Sequence, residues 1–157
     1  MRKRIVAPQG EPVEESGQSW LDLEQIATVE VTSEDPAFPI ESVFGSQDGP
    51  GWRASQPGEQ HIRIVFDQPV PLHRIQLRFR ETESERTQQF TLRWCPALGG
   101  TPREIVRQQW NFNPVSSTSE LEKYVVDLDA VSILELAIRP DISGRHAIAT
   151  LASWRVG

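Results

Sequence analysis

The sequence predicts an all-β protein, a jelly-roll β-sandwich of about eight antiparallel strands. The first observation is a period-2 alternation of apolar and polar residues, which is typical of half-buried strands. In the segment RIQLRFR (74–80), Ile75, Leu77 and Phe79 alternate with arginine and glutamine. The second observation is that turn residues separate the segments, and the third is that only PIESVF (39–44) indicates a helical turn.

Eight segments show the strand pattern, and the apolar face of each is predicted to be buried. Trp52, Trp94 and Trp154 are predicted to pack in the core. The predicted strands cover residues 27–33, 61–66, 74–80, 89–94, 103–110, 123–128, 132–138 and 147–156. Short turns are predicted at 67–72, 96–100 and 127–131.

The domain is predicted to begin near Trp20 and to cover residues 20–157. Residues 1–19 are polar, contain proline, glycine and a cluster of glutamates, and are predicted to form a flexible acidic arm. No apolar run is long enough for a transmembrane helix, and the first residues lack the apolar stretch of a secretory signal. Cys95 is the only cysteine, so no internal disulfide is expected. These features predict a cytoplasmic protein without membrane contact.

The net charge of −6 is unevenly distributed, because residues 52–110 carry +3. An acidic chain disfavours nucleic acid as a general partner, since binding depends on neutralising phosphates. Arg74, Gln76, Arg78 and Arg80 alternate along one predicted strand and form a basic strip. The strip could bind phosphate or an acidic partner, or cross-strand glutamates could balance it.

Four longer connections, at residues 33–60, 80–87, 111–120 and 140–146, are richer in polar and aromatic residues than the short turns. They follow the first, third, fifth and seventh predicted strands. If the strands run alternately up and down, these loops lie at one end of the sandwich. That end is the candidate ligand face, because function concentrates on loops carried by a rigid scaffold.

Trp110, Asn111 and Asn113 open one of these loops in the sequence WNFNP. An aromatic ring can cover the apolar C–H face of a sugar while neighbouring amides bond its hydroxyls. The alternative is that Trp110 or Phe112 plugs the end of the core.

Four charged residues in two other loops complete the candidate binding set. Arg80 and Arg86 flank the loop RETESERT, and Arg145 and His146 lie in SGRHA. Arginine forks can hold sugar hydroxyls or a carboxylate, and histidine can bond a ligand near neutral pH. The alternative for the 80–87 loop is a solvated hairpin tip.

The chain resembles the discoidin domains, also called coagulation factor V/VIII type C domains. The resemblance rests on ESVFGSQDGPGWRAS (41–55), IRIVFDQPVPLHRIQL (62–77), YVVDL (124–128) and LASWRV (151–156). It implies a galactose-binding-like fold. Many members of that family bind a structural calcium through the Asp of the Asp-Gly loop, which makes Asp48 a calcium candidate. The partner position in the last strand is Ser153 rather than the family's Glu, so no metal is included in the predicted site.

The resemblance and the loop residues together predict a non-catalytic binding module for carbohydrate or a related small polar ligand. No motif of a hydrolase, kinase, zinc enzyme or dinucleotide-binding protein occurs, so neither enzyme activity nor a cofactor is expected. The alternative is an intracellular protein-interaction or scaffold module. A third hypothesis is binding of damaged DNA, because GWRASQPGEQ (51–60) resembles the start of the N-terminal domain of a DNA single-strand-break repair scaffold.

Overall fold

The structure, a computed structural model, describes residues 20–45 and 49–157, and the predicted arm lies outside this range. No helix in this range is long and apolar enough to cross a membrane. The elements in chain order are helix α1 (Leu23–Ile26), strand β1 (Ala27–Val31), a 3-10 turn (Ile40–Val43), β2 (Trp52–Arg53), β3 (Gln60–Arg80), β4 (Arg86–Cys95), β5 (Arg103–Phe112), β6 (Ser119–Arg139), β7 (Thr150–Leu151) and β8 (Ser153–Val156). The 3-10 turn confirms the predicted helical turn at 39–44.

Strands β3 and β6 form one long antiparallel ribbon that is folded in half. The first half of β3 pairs with the second half of β6, with Gln60 opposite Ile138. The second half of β3 pairs with the first half of β6, with Arg80 opposite Ser119. Both ends of each strand therefore lie at the same end of the molecule, and the bend lies at the other.

Turns that separate strands were predicted at 67–72 and 127–131, and this is wrong, because both segments lie inside continuous strands. The chain changes direction at these segments because the strands bend. The register of β3 against β6 shifts between Val65 and Val70 and twice more before Arg74. Pro69 and Pro71 lie in this stretch, and proline lacks the N–H that a regular ladder requires. The bend merges four predicted strands into two.

The two halves of the ribbon belong to two layers of a sandwich. In the first layer the order is β1–β3–β6–β4–β5, so β5 is an edge strand. In the second layer β8 pairs with the second half of β3. The short strands β2 and β7 pair separately, and the predicted strand at 147–156 is divided at Ala152 into β7 and β8. An antiparallel all-β sandwich was predicted, and the structure confirms it.

The core lies between the two layers. Phe79 of the second layer and Phe90 of the first have ring centroids 5.0 Å apart. Trp52 and Trp154 are buried as predicted, whereas Trp94 is half-buried. The predicted apolar faces of β3, β4 and the second half of β6 all point into this single cluster.

A buried carboxyl group, that of Glu120, interrupts the inner face of β6. Glu120 is buried opposite Phe79, and neither of its carboxylate oxygens has a hydrogen-bond partner among the described residues. Burial and the neighbouring Glu122 raise the pKa of Glu120 to about 9. Glu120 is therefore protonated at neutral pH.

The basic strip lies on the outer face of the second layer, and the expected cross-strand glutamates are absent. The residues opposite Gln76 are Lys123 on β6 and Arg155 on β8. The residues opposite Arg78 are Leu121 and Ser153. The prediction that glutamates balance the strip was therefore wrong, because the register places other cations and apolar residues beside it.

Candidate functional site

Three of the four predicted functional loops meet at one end of the sandwich. The connections β3–β4, β5–β6 and β6–β7 surround a depression of about 570 Å³, which we call the loop depression. The folded ribbon is the reason, because the ends of β3 and β6 both lie here. The depression is lined by Glu85, Arg86, Thr87, Asn111, Phe112, Asn113, Ser116, Ser117, Asp141, Ile142, Ser143 and Arg145.

Arg86 lies at the base of this depression with its side chain only 1% exposed. Its Nε donates to Glu81 Oε1 at 2.7 Å, and its Nη1 donates to the carbonyl of Pro140 at 2.9 Å. The same Nη1 donates to Gln88 Oε1 at 3.0 Å, and Nη2 donates to Thr150 Oγ1 at 3.2 Å. The guanidinium carbon also lies 4.8 Å from the ring centroid of Phe112.

The contacts of Arg86 connect two of the three loops. Glu81 belongs to the β3–β4 connection, whereas Pro140 and Thr150 flank the β6–β7 connection. Burial alone would raise the pKa of Glu81, but hydrogen bonds from Arg86 and from the N–H of Glu83 outweigh it, so the pKa is lowered. The side chain of Arg86, a predicted site residue, is thus hydrogen-bonded to groups inside the protein. From this position it supports the two loops.

Asp141 supports the opposite wall of the depression. Its Oδ1 accepts hydrogen bonds from the Oγ of Ser143 at 2.7 Å and from the N–H of Ser143 at 3.0 Å. Burial would raise the pKa of Asp141, but these bonds and the nearby Arg145 lower it overall. The Arg145 Nε lies 3.8 Å from Asp141 Oδ2, and its side chain is 71% exposed. Arg145 therefore presents its guanidinium to solvent at the rim.

Asn111 and Asn113 lie on the β5–β6 side of the depression with their carbonyl oxygens already bonded. Asn111 Oδ1 accepts from Thr87 Oγ1 at 2.6 Å, and Asn113 Oδ1 accepts from the N–H of Val115 at 2.9 Å. These bonds fix the orientation of each amide and leave the amide nitrogen as the donor toward a ligand.

Trp110 lies beside the loop depression rather than inside it. It is 36% exposed and lines an adjoining depression with Gln109, Asn111 and Ser117. Phe112 is fully buried and plugs the end of the core. Trp110 and Phe112 were the two candidates for closing the end of the core. Phe112 does so, and Trp110 lies at the surface.

The remaining two predicted residues lie in separate depressions. His146 faces one that it shares with Arg145 and with Pro57, Gly58 and Glu59 of the 33–60 loop. Arg80 lines another with Phe38, Arg53 and Thr150. Four of the seven predicted residues thus surround one depression, one lies next to it and two lie apart.

Sequence reasoning missed the polar residues that complete the lining. Thr87 and Ser117 gave no signal, because a single hydroxyl in a loop has no distinctive pattern. Asp141 did have a sequence signal, because Asp-Ile-Ser-Gly (141–144) is typical of a turn in which the Asp carboxylate accepts a hydrogen bond from the backbone N–H two residues later. Gly144 confirms the turn with a φ of +83°.

Asp48, the calcium candidate, lies outside the described residues and stays a prediction. Within residues 20–45 and 49–157, no three His, Cys, Asp or Glu side chains form a group that could hold a metal ion.

Solved structures share this architecture at low sequence identity. The CpGH89CBM32-5 module of Clostridium perfringens, in complex with GalNAc-β-1,3-galactose, is 14% identical with a TM-score of 0.65, covering 88% of this chain and 99% of that one. A Ruminococcus gnavus GH29 fucosidase in complex with fucose is 9% identical with a TM-score of 0.62, covering 83% of this chain and 24% of that one. Reduced XRCC1 bound to the DNA pol beta catalytic domain is 10% identical with a TM-score of 0.63, covering 84% and 95%.

This chain has the fold of the family 32 carbohydrate-binding modules. At 14% identity and below, such matches show the fold alone. The chain spans about a quarter of the length of the fucosidase. No family model matches the sequence, and no curated protein matches it, so the resemblance to discoidin domains specifically stays a prediction.

Proposed function

We propose that the protein is a non-catalytic carbohydrate-binding module that holds its ligand in the loop depression, with Trp110 covering one face of the sugar. The observation that carries the proposal is the lining. Hydroxyl and amide side chains from three loops converge on one concave surface beside a partly exposed indole ring. Sugars offer the complementary pattern of hydroxyls and apolar C–H faces.

The charges of the site favour a neutral sugar. Arg86 is paired with Glu81, and the exposed Arg145 lies near Asp141, so each cation has a carboxylate close to it. An anionic ligand would need a surplus of positive charge, which this arrangement does not provide. The fold supports the same class, since CpGH89CBM32-5 was solved with a neutral disaccharide.

The direct contacts are assigned to side chains that still have donors facing outward. The amide nitrogens of Asn111 and Asn113 and the guanidinium of Arg145 donate to sugar hydroxyls. Arg86 supports the loops from below. His146 and Arg80 line separate depressions, so they contact only a longer ligand that extends beyond the loop depression.

The test begins with thermal unfolding against a panel of neutral mono- and disaccharides. A ligand that binds the native state raises the melting temperature once its concentration exceeds its Kd. The affinity of the best sugar is then measured for the parent and for Trp110→Ala. Loss of the indole platform is expected to weaken binding about tenfold or more, which corresponds to about 1.4 kcal/mol.

Leu98→Ala is the matched control, because Leu98 is another exposed apolar side chain but lies in the β4–β5 turn at the opposite end. It should bind the sugar like the parent. Both variants should keep the parent's circular dichroism. A Trp110→Ala protein with parental affinity would remove Trp110 from the site, and no stabilisation by any sugar would overturn the carbohydrate assignment.

A further inference from the structure

The outer face of the second layer brings five basic side chains together on one surface. The strands β8, the second half of β3 and the first half of β6 form this surface, which we call the basic face. Alternation along the strands places five cations and two carboxylates on it: Arg74, Arg78, Arg80, Lys123, Arg155, Asp127 and Asp129. The net charge of the basic face is therefore +3, and the rest of the chain carries −9 to give the total of −6.

The basic face attracts an anion through its net charge, and several of its cations also have partners within the chain. Arg74 lies 3.7 Å from the ring centroid of Trp20, and Lys123 and Arg155 also have contacts within the chain. Asp22 and Glu24 line a depression with Arg155, so their carboxylates offset positive charge at that edge of the basic face.

Two exposed apolar side chains lie among the cations. Leu121 is 43% exposed and Val125 is 69% exposed, and both point outward from β6. The register places Leu121 opposite Arg78 and Val125 opposite Arg74, with Lys123 between them. Each apolar side chain thus has an arginine next to it, and the two lie about 13 Å apart along the strand.

We infer that the basic face binds an extended acidic peptide segment of a partner protein, one that carries apolar side chains four residues apart. Four residues of extended chain span about 13 Å, which matches the distance from Leu121 to Val125. Acidic residues between the apolar ones would meet Lys123 and the flanking arginines. The surface is thus distinct from the loop depression, and the inference does not depend on the carbohydrate assignment.

Nucleic acid fits this face less well than an acidic peptide does. Phosphates would gain nothing from Leu121 and Val125, which occupy central positions. A polyanion longer than the face would also lie against the surface of the remaining residues, which carry −9 and repel it. A short peptide can confine its charge to the face.

The test uses three fluorescein-labelled probes and fluorescence anisotropy with the full chain. The first probe is the peptide Glu-Glu-Leu-Glu-Glu-Glu-Leu-Glu-Glu, which has its leucines four residues apart. The second has both leucines replaced by serine, and the third is a single-stranded oligonucleotide of the same net charge. We expect the leucine peptide to bind with a salt-dependent Kd that is about fivefold or more below those of the other two probes.

Variants then locate the surface. Arg78→Glu is expected to weaken binding of the leucine peptide about tenfold or more, because it reverses a charge beside Leu121. Leu121→Ser should lower the affinity for the leucine peptide to that for the serine peptide. Arg107→Glu is the matched control, since Arg107 is an exposed arginine on β5 of the other layer. Each variant is first checked for a parental melting temperature.

Equal Kd values for the leucine and serine peptides would overturn the inference, because charge alone would then explain the binding. Preference for the oligonucleotide would replace it with nucleic-acid binding. No binding of any probe at low ionic strength, or equal losses in Arg78→Glu and Arg107→Glu, would also overturn it.

Discussion

Arg86 is buried beneath the proposed binding site and connects two of its loops. Its guanidinium bonds Glu81 on one loop and Pro140 and Thr150 around another. A buried cation is tolerated only when it is paired and hydrogen-bonded, and four bonds of this kind satisfy Arg86. The stability of the loops and the geometry of the ligand site therefore depend on the same side chain.

Replacing Arg86 by alanine is expected to lower the free energy of unfolding by about 3 kcal/mol, because it leaves the carboxylate of Glu81 largely buried without its partner. Urea unfolding measures the change. Arg86→Lys keeps the charge but loses the fork, and it should retain the fold with weaker sugar binding. The control is Arg107→Ala, whose exposed pair with Glu104 should contribute less than about 1 kcal/mol. Equal effects of Arg86→Ala and Arg107→Ala would mean that the buried network does not stabilise the domain.

Glu120 makes the stability of the domain depend on pH. Its pKa is about 9 in the folded protein, against the ordinary glutamate pKa of 4.5 in the unfolded chain. Between these values the folded state keeps a proton that the unfolded state has lost, so stability falls as the pH rises. The slope can reach about 1.4 kcal/mol per pH unit.

Glu120→Gln should remove this dependence, because glutamine does not titrate. Melting temperatures of the variant and the parent are expected to be similar near pH 4, and the variant should become the more stable of the two as the pH approaches 9. Glu85→Gln, in an exposed loop position, should follow the parent throughout. Parallel curves for Glu120→Gln and the parent would show that Glu120 holds no proton in the folded state.

At the level of elements, the bend in β3 determines the shape of the sandwich. Pro69 and Pro71 interrupt the ladder where the ribbon folds, and residues on both sides of the bend reach the same core. Without the bend, β3 and β6 would extend as one flat ribbon with no second layer to cover its apolar face. The bend also brings the functional loops to one end.

Replacing Pro69 and Pro71 together by alanine is expected to lower the free energy of unfolding by about 1 kcal/mol, because prolines restrict the unfolded chain. The urea midpoint measures the effect. Gln68→Ala, at an exposed position in the same bend, should change stability by less than about 0.5 kcal/mol. If the double variant keeps the parental midpoint, the prolines do not stabilise the bend.

At the level of the whole molecule, the structure separates two surfaces of different chemistry. The loop depression has paired charges and polar side chains, whereas the basic face has a net charge of +3 with exposed apolar residues. Arg80 lies where the two approach each other, at the end of β3. The central residues of the two surfaces are different, so each proposal can be tested by variants that leave the other surface unchanged.

The sequence alone determined the all-β sandwich, the apolar faces of the strands and the end of the molecule at which the polar loops meet. These follow from local patterns, because alternation fixes which side chains are buried and turn residues mark where the chain reverses. The tertiary structure decided that 67–72 and 127–131 bend rather than break, that Arg86 is buried, and that cations rather than glutamates lie beside the basic strip. Each of these depends on partners distant in sequence, such as Pro140 for Arg86 and Arg155 for Gln76. Strand register brings such partners together, and alternation along one strand fixes its buried face but not which residue of another strand lies opposite.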